Sequence, residues 1–375
     1  MNREVLNILL LLQVPGIGSN RLRSLVLHFT DTDRILRATT KELSEVEGIE
    51  RKTASSIVSF LRDSAAIRAR HFADDQANRL AKAGGWAVTF RDKEYPDNLK
   101  KIYDPPPVLF VKGTLKDADR YSIAIVGTRT PSPYGLWMTE RFTKELCNLG
   151  IPVISGLARG IDTKAHTTAT NNGGRTLAVI GSGVDIIYPP ENKALFERIT
   201  RDGAVVSEFA MGTKPDATNF PRRNRIISGI AIGTLIVETG VNGGAMITAS
   251  TALDQNRDTF AIPSPVHEKH QSGTNLLIKE GKALLTERIE DIINELAPRL
   301  KKFIQQEERL PTASPTPLTL FEQKLADALG EDPVHIDVLA ERAGLSISDC
   351  LVHLLSLEFK GVVRQLRGKM FVKVD

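Results

Sequence analysis

Short runs of apolar residues recur between positions 84 and 297 and alternate with stretches whose apolar residues have helical spacing. Nearly continuous apolar runs are typical of strands buried on both faces, and their alternation with helices is typical of a parallel sheet. The pattern therefore predicts a doubly wound parallel sheet. Its clearest strands are predicted at 122–126, 152–155, 176–180, 204–207, 234–237 and 259–262, and its clearest helices at 136–149 and 245–255.

Residues 1–83 contain helical patterns only. The turn Gly16-Ile17-Gly18 is followed by apolar residues at helical spacing, and a second copy of this pattern follows Gly48-Ile49-Glu50 about thirty residues later. The duplication predicts two helix–hairpin–helix units, in which the turn directs backbone N–H groups at the next helix start toward a phosphate. Because Glu50 stands where the first copy has a glycine, a DNA contact by this region stays open.

The end of the chain predicts a linker and a small further domain. Residues 298–317 begin with Pro298 and end in a segment rich in proline, serine and threonine, so we expect an extended, mobile linker. Residues 318–375 contain helical patterns at 320–329, 336–343 and 346–359 and β-like runs at 362–366 and 370–374, an order typical of a winged helix. Seven Lys and Arg against nine Asp and Glu in this segment favour contact with a protein over contact with DNA.

Composition limits the classes of function. A chain of 375 residues with a net charge of +4 has room for two or three domains and permits an anionic partner. Cys147 and Cys350 are its two cysteines, so neither a zinc site nor a redox pair is expected, and the cytoplasm is the expected location. The apolar run 8–12 is too short to span a bilayer. No GxxxxGKS/T motif occurs, and Ile186 replaces the third glycine of a dinucleotide fingerprint, so we expect no nucleotide cofactor.

Glycines and arginines follow the predicted strands, at the edge where ligands of doubly wound sheets bind. Small residues let an oxyanion approach backbone N–H groups, and an arginine adds a bidentate contact with a phosphate. Several such loops on one edge predict a site for several phosphates, as a nucleic-acid strand presents them. The residues are Gly127, Thr128 and Arg129 after the first strand, Ser155, Gly156, Arg159 and Gly160 after the second, and Gly181, Ser182 and Gly183 after the third.

The segment after the fourth predicted strand combines an aromatic residue with cations. Pro221 suits the first turn of a helix, where its missing N–H costs nothing. Phe220 is a candidate platform for a base, and stacking in a basic groove is the usual basis of single-strand binding. The candidate contacts to the nucleic-acid backbone are Arg222, Arg223, Asn224 and Arg225.

Four blocks resemble, in the same order, the signatures of the DNA-processing A (DprA/Smf) family, and the likeness extends over about residues 1–375. The blocks are Ile125-Val126-Gly127-Thr128-Arg129, Ser155-Gly156-Leu157-Ala158-Arg159-Gly160-Ile161-Asp162, Gly181-Ser182-Gly183-Val184-Asp185-Ile186-Ile187-Tyr188-Pro189-Pro190-Glu191-Asn192 and Asn219-Phe220-Pro221-Arg222-Arg223-Asn224-Arg225-Ile226-Ile227. The resemblance implies a multidomain α/β fold with a helical, sterile-alpha-motif-like N-terminus, an extended Rossmann core and a C-terminal winged helix.

The same resemblance implies a function without catalysis and without a cofactor. Members bind single-stranded DNA taken up in natural transformation and load RecA recombinase onto it. The expected partners are therefore single-stranded DNA, RecA and the single-strand-binding protein, with a homodimer through the Rossmann core and no membrane. The glycine loops are implied to bind phosphates, together with Phe220 and residues 222–225. Some members place a lysine shortly before the Asn-Phe pair, where this chain has Ala217 and Thr218.

Other interpretations of the same residues stay open. The loop glycines also suit turns of any Rossmann sheet, Phe220 also suits a core, and Arg129 also suits an ion pair with Asp162 or Asp185. The main rival function is a nucleotide phosphoribohydrolase. The signature of that group is a Pro-Gly-Gly loop, which residues 239–245 match only in part. A metal-dependent nuclease would need acidic ligands. The carboxylates near predicted strand ends are Asp162, Asp185, Glu208 and Glu238.

Overall fold

The computed structural model describes residues 2–266, 271–307, 319–329, 333–359, 362–366 and 368–373. The chain divides into two compact units, Met1–Phe303 and Ile304–Asp375. The helices are α1 (Arg3–Leu11), α2 (Ser19–Phe29), α3 (Thr32–Arg37), α4 (Thr40–Ser44), α5 (Arg51–Arg62), α6 (Ser64–Lys82), α7 (Asp97–Lys100), α8 (Pro133–Asn148), α9 (Ile161–Asn171), α10 (Lys193–Asp202), α11 (Asn219–Ile230), α12 (Gly244–Asp254), α13 (Gly273–Lys279), α14 (Ile289–Glu307), α15 (Leu320–Ala328), α16 (Ile336–Ala343) and α17 (Ile347–Phe359). No helix in the described part of the chain combines the length and the apolar composition that a bilayer crossing requires.

The strands form one large and one small sheet. They are β1 (Trp86–Thr89), β2 (Val108–Gly113), β3 (Ile123–Val126), β4 (Val153–Ser155), β5 (Thr176–Val179), β6 (Ala204–Ser207), β7 (Gly233–Ile236), β8 (Asp258–Ala261), β9 (Leu284–Leu285), β10 (Val334–His335), β11 (Val363–Leu366) and β12 (Met370–Lys373). The large sheet has the order β1-β2-β6-β5-β4-β3-β7-β8-β9. Its strand order reverses at β3, which has β4 on one side and β7 on the other. A crevice for ligands opens at such a reversal.

The doubly wound core was predicted correctly, whereas the edges of the large sheet were not. Each of the six predicted strands is present within one residue of its expected bounds. The seven strands in the order β6-β5-β4-β3-β7-β8-β9 all pair in parallel. However, β2 pairs antiparallel with both β1 and β6, so the complete sheet is mixed. Three prolines precede β2 and β9 has two residues, which hides both strands in the apolar pattern.

The N-terminal helices pack on the large sheet and share its core. Gln76 on α6 accepts a 2.6 Å hydrogen bond from the backbone N–H of Met211, which follows β6. The two hairpin turns contain Gly16 and Gly48 at φ of 83° and 80°, a left-handed conformation that favours glycine. Arg21 joins the turns, because its guanidinium donates to both glycine carbonyls at 2.7 and 3.3 Å. The tandem helix–hairpin–helix prediction is confirmed.

Helix α14 corrects the start of the predicted linker. Pro298 lies inside this helix, where it removes one intrahelical hydrogen bond. Ile292, Leu296 and Leu300 from the same helix are fully buried in one apolar cluster, and this packing offsets the lost bond. Residues 298–307 are therefore helical rather than extended. The rest of the predicted linker, 308–317, lies outside the described residues.

The second unit is a winged helix. Helices α15, α16 and α17 surround a separate core, and the strands form a small antiparallel sheet in the order β10-β12-β11. Leu339, Leu354 and Phe371 from three of these elements are buried in that core. The three helices and the final two strands agree with the sequence pattern, while the two-residue β10 was too short to be recognised.

The substitution Leu300→Ala tests whether α14 beyond Pro298 belongs to the core. We expect the free energy of unfolding of the first unit to fall by about 2–5 kcal/mol, because the change leaves a buried cavity. Both tryptophans of the chain, Trp86 and Trp137, lie in this unit, so urea unfolding followed by tryptophan fluorescence reports on it. Glu295→Ala on the exposed face is the control, with a change within about 0.5 kcal/mol. Equal stability of the two variants would contradict the packing.

Candidate nucleic-acid interface

The loops at the carboxyl ends of the central strands surround a cavity of about 660 Å³, which we call the groove. Three of the predicted loops contribute to it, through Thr128 and Arg129 after β3, Ala158 after β4 and Tyr188 after β5. Phe220 and Asn224 on α11 line it as well. The opposite wall comes from the start of α12, which contributes Gly243, Gly244 and Thr248. The predicted convergence of these loops at one sheet edge is therefore present.

Arg129 is an exposed cation on the wall of the groove. Its guanidinium carbon lies 4.9 Å from the centroid of the Phe220 ring, a distance at which a cation is attracted by an aromatic face. The alternative ion pairs with Asp162 and Asp185 are not formed. Asp162 accepts instead from the backbone N–H of Gly156 at 3.1 Å, and Asp185 from that of Gly212 at 2.9 Å. The charge of Arg129 is thus available to an anion in the groove.

Phe220 is half-buried between the groove and an adjoining pocket, which is lined by Arg159, Gly181, Tyr188 and other residues of these loops. The Tyr188 ring lies 6.0 Å from the Phe220 ring at an angle of 35°. Gly181 makes room for Phe220, because a Cβ atom at this position would lie 3.1 Å from the ring carbon Cδ1. Because Gly181 has no side chain, the Phe220 ring fits closely against it.

Arg223 is buried, with 4% of its surface exposed, although the sequence placed it among the surface cations. Its Nη1 donates to the carbonyl oxygen of Gly156 at 2.5 Å and to that of Val179. Gly156 is tight against this guanidinium, since a Cβ atom there would lie 2.4 Å from Nη1. Arg223 therefore joins the loop after β4 to the end of β5, and burial shields its charge from solvent.

Burial changes the titration of this pair of neighbouring charges. Loss of hydration lowers the pKa of Arg223 to about 10, although the nearby Asp162 carboxylate opposes the change. Burial likewise raises the pKa of Asp162, and Arg223 opposes that shift. His166, also fully buried, has its pKa lowered to about 3 by burial, and its Nδ1 lies 2.7 Å from Thr176 Oγ1. It is therefore a neutral packing residue at physiological pH.

Arg225 and Arg222 point elsewhere than the groove. Arg225 is paired with the Glu208 carboxylate, and its Nε lies 3.2 Å from Asp104 Oδ2, with 13% of the side chain exposed. Arg222 is exposed and its guanidinium carbon lies 5.5 Å from the Phe209 ring. Successive residues of a helix point in directions about 100° apart, so the arginines of this segment cannot all face one ligand. Of residues 222–225, Arg223 and Asn224 line the groove, and Asn224 accepts a hydrogen bond from Arg223 Nε at 3.1 Å.

Several loop residues predicted to touch phosphates use their polar groups to shape the loops. Ser155 is buried and donates from Oγ to the carbonyl of Ile125 at 2.6 Å, while buried Ser182 donates to that of Ile186 at 2.9 Å. The N–H of Gly183 donates to Thr213 at 2.9 Å. Gly160 at φ 79° leaves no room for a Cβ atom, which would lie 2.3 Å from the Thr128 carbonyl oxygen. Contact of these residues with a ligand stays a prediction.

Gly127 and Arg159 lie where they can contact a ligand, Gly127 in the groove and Arg159 in the adjoining pocket. Gly127 lines the groove, and its missing side chain lets Ile161 approach, since a Cβ atom would lie 2.5 Å from Ile161 Cγ1. Arg159 is exposed at the adjoining pocket. Sequence reasoning missed Tyr188, Gly243, Gly244 and Thr248 as lining residues. The aromatic–proline pair after the third glycine loop and the Gly-Gly pair that opens α12 were the available signals.

The carboxylates near the strand ends each bind a different partner group within the chain. Glu238 is buried and accepts hydrogen bonds from the backbone N–H of Ser132 at 3.0 Å and from its hydroxyl at 2.6 Å, beside the start of α8. Glu208 is paired with Arg225. Within the described ranges, no three His, Cys, Asp or Glu side chains form a group suited to a metal ion. The acidic residues considered for a nuclease therefore serve the fold.

The substitution Arg223→Met tests the role of the buried guanidinium. We expect the free energy of unfolding of the first unit to fall by about 3 kcal/mol, because two buried carbonyl groups lose their donor and Asp162 loses its neighbouring cation. Arg222→Met is the matched control, an exposed arginine one position away, with a change within about 0.5 kcal/mol. Urea unfolding followed by tryptophan fluorescence measures both. A stability loss no larger for Arg223→Met than for Arg222→Met would show that the hydrogen bonds of Arg223 with Gly156 and Val179 are not needed for stability.

Three parts of the chain match known families. Residues 86–297 match the family described as DNA recombination-mediator protein A, residues 309–369 match the DprA winged helix domain, and residues 8–63 match a SAM-like helix-hairpin-helix tandem. The protein Smf of Synechocystis sp. is 31% identical over 389 residues, which covers 96% of each chain. The exact domain boundaries stay predictions.

Two solved structures are similar to this chain. The X-ray structure of DNA processing protein A from Streptococcus pneumoniae has a TM-score of 0.65 and 33% identity, and covers 79% of this chain and 99% of that one. A structure of DNA processing protein A from Helicobacter pylori, described by its single-stranded DNA binding mode, has a TM-score of 0.51 and 28% identity over 57% of this chain and 96% of that one. With a family match over 86–297 and a relative similar along nearly its whole length, the chain belongs to the DprA/Smf family of DNA recombination mediators.

Proposed function

We propose that this chain binds single-stranded DNA in the groove, protects strands that enter the cytoplasm during natural transformation, and loads RecA recombinase onto them. The observation that carries the proposal is the pairing of exposed Arg129 with the half-buried Phe220 ring at the carboxyl ends of the central strands. One side chain suits a phosphate and the other suits the face of a base. A nucleotide of a single strand presents both groups together, whereas a duplex buries its base faces.

The groove favours a flexible strand over a duplex for a second reason. Its walls are the close loops after β3 and β5 and the start of α12, and they are lined by small residues such as Gly127, Gly244 and Thr248. An extended single strand can follow such a wall and place successive phosphates and bases against it. The relative from Helicobacter pylori, whose structure is described by its single-stranded DNA binding mode, supports this proposal.

Binding rather than catalysis is the function that the polar groups support. Asp162, Asp185, Glu208 and Glu238 each hold a backbone N–H group or an arginine of their own chain. A general acid or base must reach the proton that it transfers, and these carboxylates are committed to loops and helix starts. We therefore propose a mediator without catalytic residues and without a cofactor, in place of a phosphoribohydrolase or a nuclease.

Protein partners are proposed for the rest of the chain. RecA, the single-strand-binding protein and a second copy of this chain, paired through the Rossmann core, complete the proposed mediator. The winged helix supports a protein contact, because its helix α17 exposes the apolar residues Ile347, Leu351 and Val352 where a reader of the major groove would carry cations. Exposed apolar side chains grouped on one helix are typical of a protein-binding surface.

The substitution Arg129→Ala tests the proposed function. We expect affinity for a fluorescein-labelled oligothymidylate to fall roughly ten- to a hundred-fold, because one charge-assisted contact with a phosphate is lost. The melting temperature should stay unchanged, since the side chain is exposed and makes no ion pair with Asp162 or Asp185. Fluorescence anisotropy and thermal melting on one preparation measure both quantities.

Arg201→Ala provides the matched control, since it removes the same charge from an exposed position on α10 that does not line the groove. Its affinity should stay close to that of the unmodified protein. Unchanged affinity of Arg129→Ala, or an equal loss in both variants, would contradict a specific phosphate contact at Arg129.

A further inference from the structure

Arg159 and Glu191 form an ion pair at the edge of the proposed binding site. The Nε atom of Arg159 lies 2.5 Å from Glu191 Oε1, and the two side chains are 55% and 51% exposed. Arg159 also lines the pocket that contains Phe220 and Tyr188. The second exposed cation of the site therefore already has a carboxylate partner, in contrast to Arg129, whose guanidinium lies over an aromatic ring.

The pair keeps its charges over the physiological pH range. The hydrogen bond and charge of Glu191 raise the pKa of Arg159, and the same bond lowers the pKa of Glu191. A phosphate that approaches Arg159 therefore meets the full negative charge of Glu191, whose carboxylate is bound to the same guanidinium. It must share the donors of Arg159 with Glu191 or displace the carboxylate into solvent.

Resting on the proposed function, we propose that Glu191 is an affinity-determining residue, which competes with the DNA backbone for Arg159. Both side chains are more than half exposed, which allows this exchange. An exposed ion pair is weak enough to be replaced by a phosphate without an unfolding step. In this arrangement Arg129 supplies the permanent cation of the site, and Arg159 supplies one that is released only when a strand competes successfully.

Replacing Glu191 should strengthen DNA binding, whereas replacing a residue of a binding site usually weakens it. Glu191→Gln removes the charge of the competitor and keeps the shape of the side chain. We expect it to tighten binding of an oligothymidylate about 1.5- to 5-fold, the range that corresponds to an exposed ion pair. The log–log slope against salt should become steeper by about 0.7, the value for one additional phosphate contact on a single strand.

A double-mutant cycle separates this competition from a general effect of charge. We would measure anisotropy with a labelled oligothymidylate for the unmodified protein, Glu191→Gln, Arg159→Ala and the double variant. Arg159→Ala should weaken binding, and in its background Glu191→Gln should have almost no effect. Glu140→Gln is the matched control, because Glu140 also forms a 2.5 Å ion pair, with Lys164, and lies on α8 away from the groove.

Each outcome of the cycle decides the proposal. Tighter binding by Glu191→Gln that requires Arg159, with no change for Glu140→Gln, supports it. Weaker binding by Glu191→Gln would mean that the carboxylate positions Arg159 for the phosphate, and equal tightening with or without Arg159 would mean a general charge effect; either result overturns the competition. Failure of the unmodified protein to bind the strand would instead overturn the proposed function itself.

Discussion

The guanidinium of Arg223 donates to the carbonyl groups of Gly156, which follows β4, and of Val179, the last residue of neighbouring β5. A buried cation is stable only when its hydrogen-bonding groups have partners. Here the main chain supplies the acceptors, and buried Asp162 supplies the opposing charge. The loops that border the groove, and the seat of Phe220 six ångströms from the Arg223 guanidinium carbon, depend on this arrangement.

This constraint divides the cations of the site into two kinds. Arg223 and Arg225 are bonded to carbonyl groups and carboxylates of the protein, so their charge is used in the folded chain. Arg129 and Arg159 are exposed, and they differ in whether a carboxylate already neutralises them. A basic cluster in the sequence is therefore a weak guide to a basic surface. Available charge depends on the partners that the fold has already provided.

The sequence predicted the sheet and the meeting of the loops at the candidate groove because both follow from local patterns. Buried parallel strands are continuous apolar runs, and the glycines after them lie at the carboxyl edge by topology. Glycine roles were harder, since the pattern does not separate room for a phosphate from room for Arg223 at Gly156 or for Phe220 at Gly181. Pro298 misled for a similar reason, because the tertiary contacts of Leu300 that continue α14 are invisible in composition.

The central claim is that the groove accepts a single strand through phosphate contacts and stacking. Its most direct test compares a labelled oligothymidylate with a duplex of the same length, by anisotropy across a series of salt concentrations. We expect tighter binding of the single strand at every salt concentration and a negative log–log slope of roughly 0.7 per phosphate contact. Equal affinity for the duplex, or affinity that does not change with salt, would contradict it.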